Sequence, residues 1–267
     1  MINNTQYGYD DTIFFNLVNF VRNCMQYHLG DVSFLRPNQF KQTNSILEIA
    51  KQNKQNSEDI DDRIHGATLM PDDENDDIII YIETSKIGVP TIIETLTHEI
   101  VHAYDFKQFS KIYKRNNISQ TEYNEKFDVF CNFSEFHAYT YATMYSPRFI
   151  DEYYGVSRSD TFLNIVVHQI TEEFLKLTTQ SNSSEILSYY QICRLLAEIF
   201  VVDLCCGYKQ DNSCGYIFLP QIFHSKESLD IVYRIYEIFV CLLYRKDIDS
   251  YLCELTQLFP KVHHKLP

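Results

Sequence analysis

The chain of 267 residues is 45% hydrophobic and 15% aromatic, enough apolar mass to bury a core without disulfide or metal staples, as one larger domain or two small ones. Its 23 Lys and Arg stand against 36 Asp and Glu, a net charge of -13 that opposes counterion-release binding to nucleic acid, and no local basic patch stands out. Seven Gly, seven Pro and no low-complexity tract argue against a disordered or collagen-like chain, and no apolar run approaches the roughly 18 to 20 residues that cross a bilayer. The opening Met1-Ile-Asn-Asn-Thr5 has no basic segment ahead of an apolar one, so no secretory signal is read and a cytoplasmic location is expected. Most of the eight cysteines sit inside apolar helical patterns, as Cys193 and Cys241 do, and are expected to be buried free thiols. Cys206 and Cys214 flank a polar turn, Lys209 to Ser213, that reads as a hairpin-like excursion.

In chain order, apolar residues at 13, 14, 17, 18, 21, 24 and 25 predict a helix from Asp11 to His28, with Gly30 just beyond it as a stop. Ser45-Ile-Leu-Glu48 fits a capping box and opens a shorter helix. Glu58 to Asp77, with nine carboxylates, reads as a solvated loop. The β-branched run Asp77-Ile-Ile-Ile-Tyr-Ile-Glu83 has strand length. Thr91-Ile-Ile-Glu94 is a second capping box, and Ile92, Ile93, Leu96, Ile100, Val101 and Tyr104 carry a helix from about Thr91 to Phe109. Thr121 to Tyr145 predicts another helix, dense in aromatics and stopped by Ser146-Pro147. Further helices near 159–180, 184–204, 226–245 and 248–258 make the C-terminal part mostly α.

The helix after the strand carries Leu96-Thr-His98-Glu99-Ile-Val-His102-Ala-Tyr-Asp105. Two His four apart differ by about 40° around a helix, so both imidazoles leave one face and can bind one Zn²⁺. Metal binding needs only that pair; Glu99, about 100° from His98, suits a general base. Zinc brings the pKa of its water to about 7, and a carboxylate can take the proton and pass it to a leaving amine. A hydrolytic zinc usually has three protein ligands plus water, so a further donor is required. The next helix, Phe133-Ser-Glu135-Phe-His137-Ala-Tyr139-Thr-Tyr141, offers Glu135 and His137. Those two point about 160° apart on a helix, so only one can be the ligand. Glu135 is favoured, with His137 as the alternative. A donor toward the developing oxyanion could come from Tyr139, Tyr141 or His137 on this helix, and Tyr139, at i+4 from Glu135, has the best geometry. Asp105, back on the His98 face after seven residues, is either a carboxylate that orients a ligand or a solvated side chain near the helix end. The strand Ile78 to Glu83 is expected to offer an edge that aligns an extended substrate.

A strand, a His-Glu-x-x-His helix and then a Glu-bearing helix resemble the zincin metallopeptidases of the gluzincin type. Thr97-His-Glu-Ile-Val-His-Ala-Tyr-Asp105, followed by Ser134-Glu-Phe-His-Ala138, is most similar to the metallopeptidases that process and help assemble mitochondrial ATP synthase. The similarity spans about Ile78 to Ala142 and is dense in the two motifs. It implies His98, His102 and Glu135 as zinc ligands and Glu99 as the base. The expected fold is α+β: a zincin-like core over residues 1–150, with a small sheet, the His-Glu-x-x-His helix and the Glu-bearing helix, and a mostly helical region over 151–267 packed on it. The expected function is zinc-dependent hydrolysis of peptide bonds in a protein or peptide substrate, with one Zn²⁺ per chain. A catalytically inactive protein that keeps the scaffold for partner binding is the alternative.

Overall fold

The computed structural model describes residues 9–46, 49, 65–69, 77–85, 87–113, 118–156, 188–207, 215–244 and 248–263. Among them are seven α-helices and one three-stranded sheet, an α+β chain that is mostly helical. It divides into two compact units, Met1–Ile112 with Met144–Ser157, and Tyr113–Thr143 with Arg158–Pro267. No helix among the described residues is long and apolar enough to cross a membrane.

In the first unit, α1 (Asp11–His28) starts where the apolar period starts. The Asp10 carboxylate accepts from the Thr12 amide at 2.7 Å, which satisfies one of the four amides a helix start leaves open. Phe14, Leu17, Val18, Val21 and Met25 are its buried stripe. Gly30 follows at φ 106, a left-handed backbone that glycine adopts without steric cost. Ile46 and Ile49 are helical, and the rest of the helix expected from Ser45 lies outside the described residues.

The sheet holds β1 (Phe40–Thr43), β2 (Gly66–Leu69) and β3 (Ile79–Glu83) in the order β1-β3-β2. Strand β3 pairs parallel with β1, Phe40 opposite Ile80, and antiparallel with β2, Gly66 opposite Ile82 and Thr68 opposite Ile80. Two expectations are corrected here. The solvated-loop reading of Glu58 to Asp77 fails at Gly66–Leu69, which is strand, because pairing to β3 supplies the backbone hydrogen bonds that local composition gave no sign of. The proposed substrate edge at Ile78 to Glu83 also fails, because β3 is the central strand and is paired on both sides.

Helix α2 (Val89–Ile112) packs on α1, β2 and β3. It opens two residues before the expected Thr91 cap, with the Ile92 amide bonded to the Gly88 carbonyl at 3.0 Å. Pro90 falls in its first turn, where a missing N–H leaves nothing unsatisfied.

Helix α3 (Gln120–Tyr153) does not stop at Ser146-Pro147 as expected but runs through it. Pro147 cannot donate to the Thr143 carbonyl, at a cost of about 3 kcal/mol, and the division between the units falls at Thr143. Beyond the proline, Phe149 is buried against His28 and Tyr145, ring centroids 5.8 and 6.0 Å away, and this burial offsets much of that cost.

In the second unit, Phe133 and Phe136 of α3 pack on Phe239 of α6 (Lys226–Tyr244), and Phe136 also on Phe200 of α4 (Tyr189–Cys206). Ser188 and Gln191 form the capping box that starts α4, and Gly207 ends it at φ 66. Helix α5 (Gly215–Ile222) was not expected; α7 (Ile248–His263) was, though shorter. The expected helix near 159–180 and the polar turn before Cys214 lie outside the described residues. Among the described residues six cysteines stand outside disulfides: Cys193 is buried as expected, Cys24, Cys131 and Cys241 are half-buried, and Cys205 and Cys253 are exposed, which corrects the buried reading for Cys253.

The guanidinium of Arg234 on α6 forks onto the Glu254 carboxylate of α7, Nε to Oε1 at 2.7 Å and Nη2 to Oε2 at 2.9 Å, with Nη1 on Glu237 at 3.0 Å. Hydrogen bonds from Arg234 hold the Glu254 carboxyl below its ordinary value of 4.5. A carboxyl lowered on folding contributes its stability in full above its unfolded value and loses it as the pH falls through the folded one. Both partners are well exposed, so solvent screening limits the pair to about 0.5–1 kcal/mol. Arg234→Ala is expected to lower stability by about that amount at pH 7, and the difference from wild type to shrink as the pH falls below the ordinary glutamate value of 4.5, measured by urea unfolding across pH. A deficit unchanged by pH would show that the arginine stem, not its charge, matters.

Candidate metal centre

One helical turn separates His98 from His102 on α2, and their Nε2 atoms face each other at 2.9 Å. The rings meet nearly edge to face, centroids 4.6 Å apart at 77°, and His102 lies flat on Phe106 a further turn along, at 5.8 Å and 24°. Two imidazole lone pairs aimed at one point repel unless a proton or a cation lies between them. His102 is buried and His98 half-buried, so the pair is reached from one side.

Glu99, the next residue after His98, turns toward the sheet and is 5% exposed. The Thr68 hydroxyl on β2 lies 2.7 Å from its Oε2 and 3.0 Å from its main-chain oxygen. Asp105 is 3% exposed, which rules out the solvated reading of that residue.

On α3, Glu135 is half-buried and its Oε2 atom is out of solvent contact. Burial, and after it the charge of Glu135, hold the thiol of Cys193 on α4 well above its ordinary value. His137 is buried between Phe133, stacked at 5.7 Å and 24°, and Tyr141, edge-on at 4.9 Å. The Tyr139 ring is met edge-on by Tyr190 at 5.3 Å and carries the Arg194 guanidinium 5.5 Å from its centroid. Arg194 is itself paired with Glu198 at 3.1 Å.

The ligand atoms of His98, His102 and Glu135 all lie within 4.8 Å of one another, a group that can hold a metal ion. His137 is not part of it. Two imidazoles and a carboxylate suit Zn²⁺, whose bond lengths near 2.0–2.1 Å set neighbouring ligand atoms roughly 3.3 Å apart in a tetrahedron. The two Nε2 atoms stand close to that separation, and the donor set fits the ion.

No family model, curated protein or solved structure matches the chain. The site therefore rests on its own geometry. Of the residues singled out in the sequence, the structure brings His98, His102 and Glu135 together, sets Glu99 against Thr68, and sets Tyr139 against Tyr190 and Arg194; the contact of Glu99 with Gly66 and Thr68 was not foreseen. Those two stand in a stretch whose charge reads as loop, and nothing local marks them; only the strand pairing brings them to Glu99.

Purified protein given zinc and freed of excess is expected to hold one zinc per chain by elemental analysis. His98→Ala and Glu135→Ala are expected to lose it, whereas His137→Ala keeps it. Loss in His137→Ala at unchanged thermal stability would move the third ligand to that residue.

Proposed function

We propose that the protein is a zinc-dependent peptidase of the zincin type, which hydrolyses peptide bonds with Glu99 as general base. The observation that carries this is the convergence of two imidazoles and one carboxylate, with a second, fixed carboxylate on the residue next to the first ligand. His98, His102 and Glu135 would hold the metal, and an ion there supplies the Lewis acidity that polarises a scissile carbonyl and makes a water acidic enough to give up its proton.

The remaining work falls to the chain. Glu99 takes the proton of the attacking water on a carboxylate oxygen and returns it to the leaving amine, a transfer generally worth about 10²–10⁴ in rate. Its burial keeps competing solvent away from that oxygen. An extended substrate segment finds its backbone partners on β2, an edge strand of the described sheet and the one that contacts Glu99. Tyr139 is assigned the hydrogen bond to the oxyanion, its ring steadied by Tyr190 and Arg194.

Glu99→Gln is expected to cut turnover of internally quenched peptides by about 10²-fold or more while zinc stays at one per chain. Tyr139→Phe is expected to lower kcat by about tenfold or more with little change in KM. Wild-type turnover in Glu99→Gln would remove the base from the mechanism, and a zinc-loaded wild type that cleaves no member of a broad peptide pool would leave the metal a structural or partner-binding role.

A further inference from the structure

Strand β2 comes so close to α2 that a Cβ on Gly66 would stand 2.6 Å from Glu99 Oε1, 2.6 Å from Thr95 Cγ2 and 2.7 Å from Glu99 Cγ. Real Cβ atoms do not tolerate such distances, so any side chain at 66 displaces that of Glu99. Two residues on, and so on the same face of the strand, the Thr68 hydroxyl stands 2.7 Å from Glu99 Oε2 and 3.0 Å from its main-chain oxygen, with one hydrogen to give. An ionised carboxylate only accepts, so Thr68 is the donor to Oε2. At 6% exposed, its hydroxyl is largely shielded from solvent.

The two residues act on opposite sides of one carboxyl group. Thr68 holds Oε2 with a charge-assisted bond, the stronger kind, while Gly66 leaves the space that Oε1 and Cγ occupy. Glutamate has three side-chain torsions and, untethered, samples several rotamers. Tied at Oε2 to the Thr68 hydroxyl and packed over Gly66, Glu99 is held to one. Oε1 takes no hydrogen bond among the described residues, so it is the oxygen left to receive a proton. The register of β2 on β3, Gly66 opposite Ile82 and Thr68 opposite Ile80, sets the device. A slip of one residue would turn Ala67 and Leu69 toward Glu99 instead.

We propose that Gly66 and Thr68 are positioning residues for Glu99, which fix its carboxylate so that Oε1, and not Oε2, receives the proton of the attacking water. This rests on the peptidase reading. Thr68→Val keeps the shape of the side chain and removes the hydroxyl, Thr68→Ser restores the hydroxyl, and Gly66→Ala adds one carbon against Oε1. Three quantities are read for each: zinc content, kcat and KM on a quenched peptide that the wild type cleaves, and the carboxyl ¹³C resonance of Glu99 in the metal-free protein, assigned by its loss in Glu99→Gln. The expected result for Thr68→Val is one zinc per chain, kcat down about tenfold at unchanged KM, and a displaced resonance, all reversed in Thr68→Ser. Gly66→Ala is expected to lose kcat in the same way. Wild-type kcat with an unmoved resonance in Thr68→Val overturns the proposal, as does a loss that Thr68→Ser does not reverse. If the wild type cleaves nothing, the peptidase reading falls and the proton role with it. The resonance then decides the tether alone: displaced in Thr68→Val it stands, unmoved it falls.

Discussion

A helix buried over most of its circumference must find a partner for every polar side chain it carries, because a buried polar group left without one costs about 1–3 kcal/mol. Helix α2 is under that constraint. Beside Ile92, Ile93, Leu96, Ile100, Val101, Phe106 and Phe109 it buries Thr97, Glu99, His102 and Asp105. Thr97 turns its hydroxyl back to the Ile93 carbonyl at 2.8 Å, Glu99 is met by Thr68, and His102 faces His98. A purely apolar helix would pack there at lower cost. The polar residues are held in place by specific partners, and the only two that are ring nitrogens face each other with nothing apolar between them.

What could be read in the sequence follows from how local each determinant is. The apolar period of α1 and α2 is a property of consecutive residues, and the approach of His98 to His102 needs only helical geometry, so both were legible. Strand β3 was legible because Ile78, Ile79, Ile80 and Ile82 are β-branched in succession. Strands β1 and β2 were not. Each has four residues, too few for alternation to show, and Gly66-Ala-Thr-Leu69 becomes a strand only by pairing with residues ten or more positions away. The same distance hid the Thr68 to Glu99 contact. Local signals also misled at Pro147 and in α5, which begins at Gly215 and contains Pro220: both residues ordinarily end helices, but the burial of Phe149, Leu219 and Ile222 outweighs them.

The choice of a third candidate ligand shows where spacing stops being informative. Glu135 and His137 lie on one helix and are chemically comparable donors, so their angular separation says only that they diverge. The surroundings distinguish them. Phe133, His137 and Tyr141 recur every four residues and form one aromatic stripe, in which the imidazole is stacked on Phe133 and met edge-on by Tyr141. Glu135 lies off that stripe, close enough to Cys193 to add its charge to the burial that raises that thiol.

The two halves of the chemistry have separate structural origins. One turn of α2 sets His98 against His102 without help from the sheet, whereas the carboxylate of Glu99 is set by the register of β2 on β3. A protein that kept the metal only as a staple, or the scaffold only for a partner, would need the first and not the second. Nothing in metal binding requires a strand to approach a helix so closely that a Cβ at 66 would displace the Glu99 side chain, or a threonine hydroxyl to hold the tip of that glutamate. That close approach leaves no room for a side chain at position 66 unless Glu99 moves, and what it yields is a carboxylate with Oε2 tied to Thr68 and Oε1 packed over Gly66, on the residue next to a candidate metal ligand. Such an arrangement is of use to proton transfer, and it weighs for the catalytic reading over the structural one.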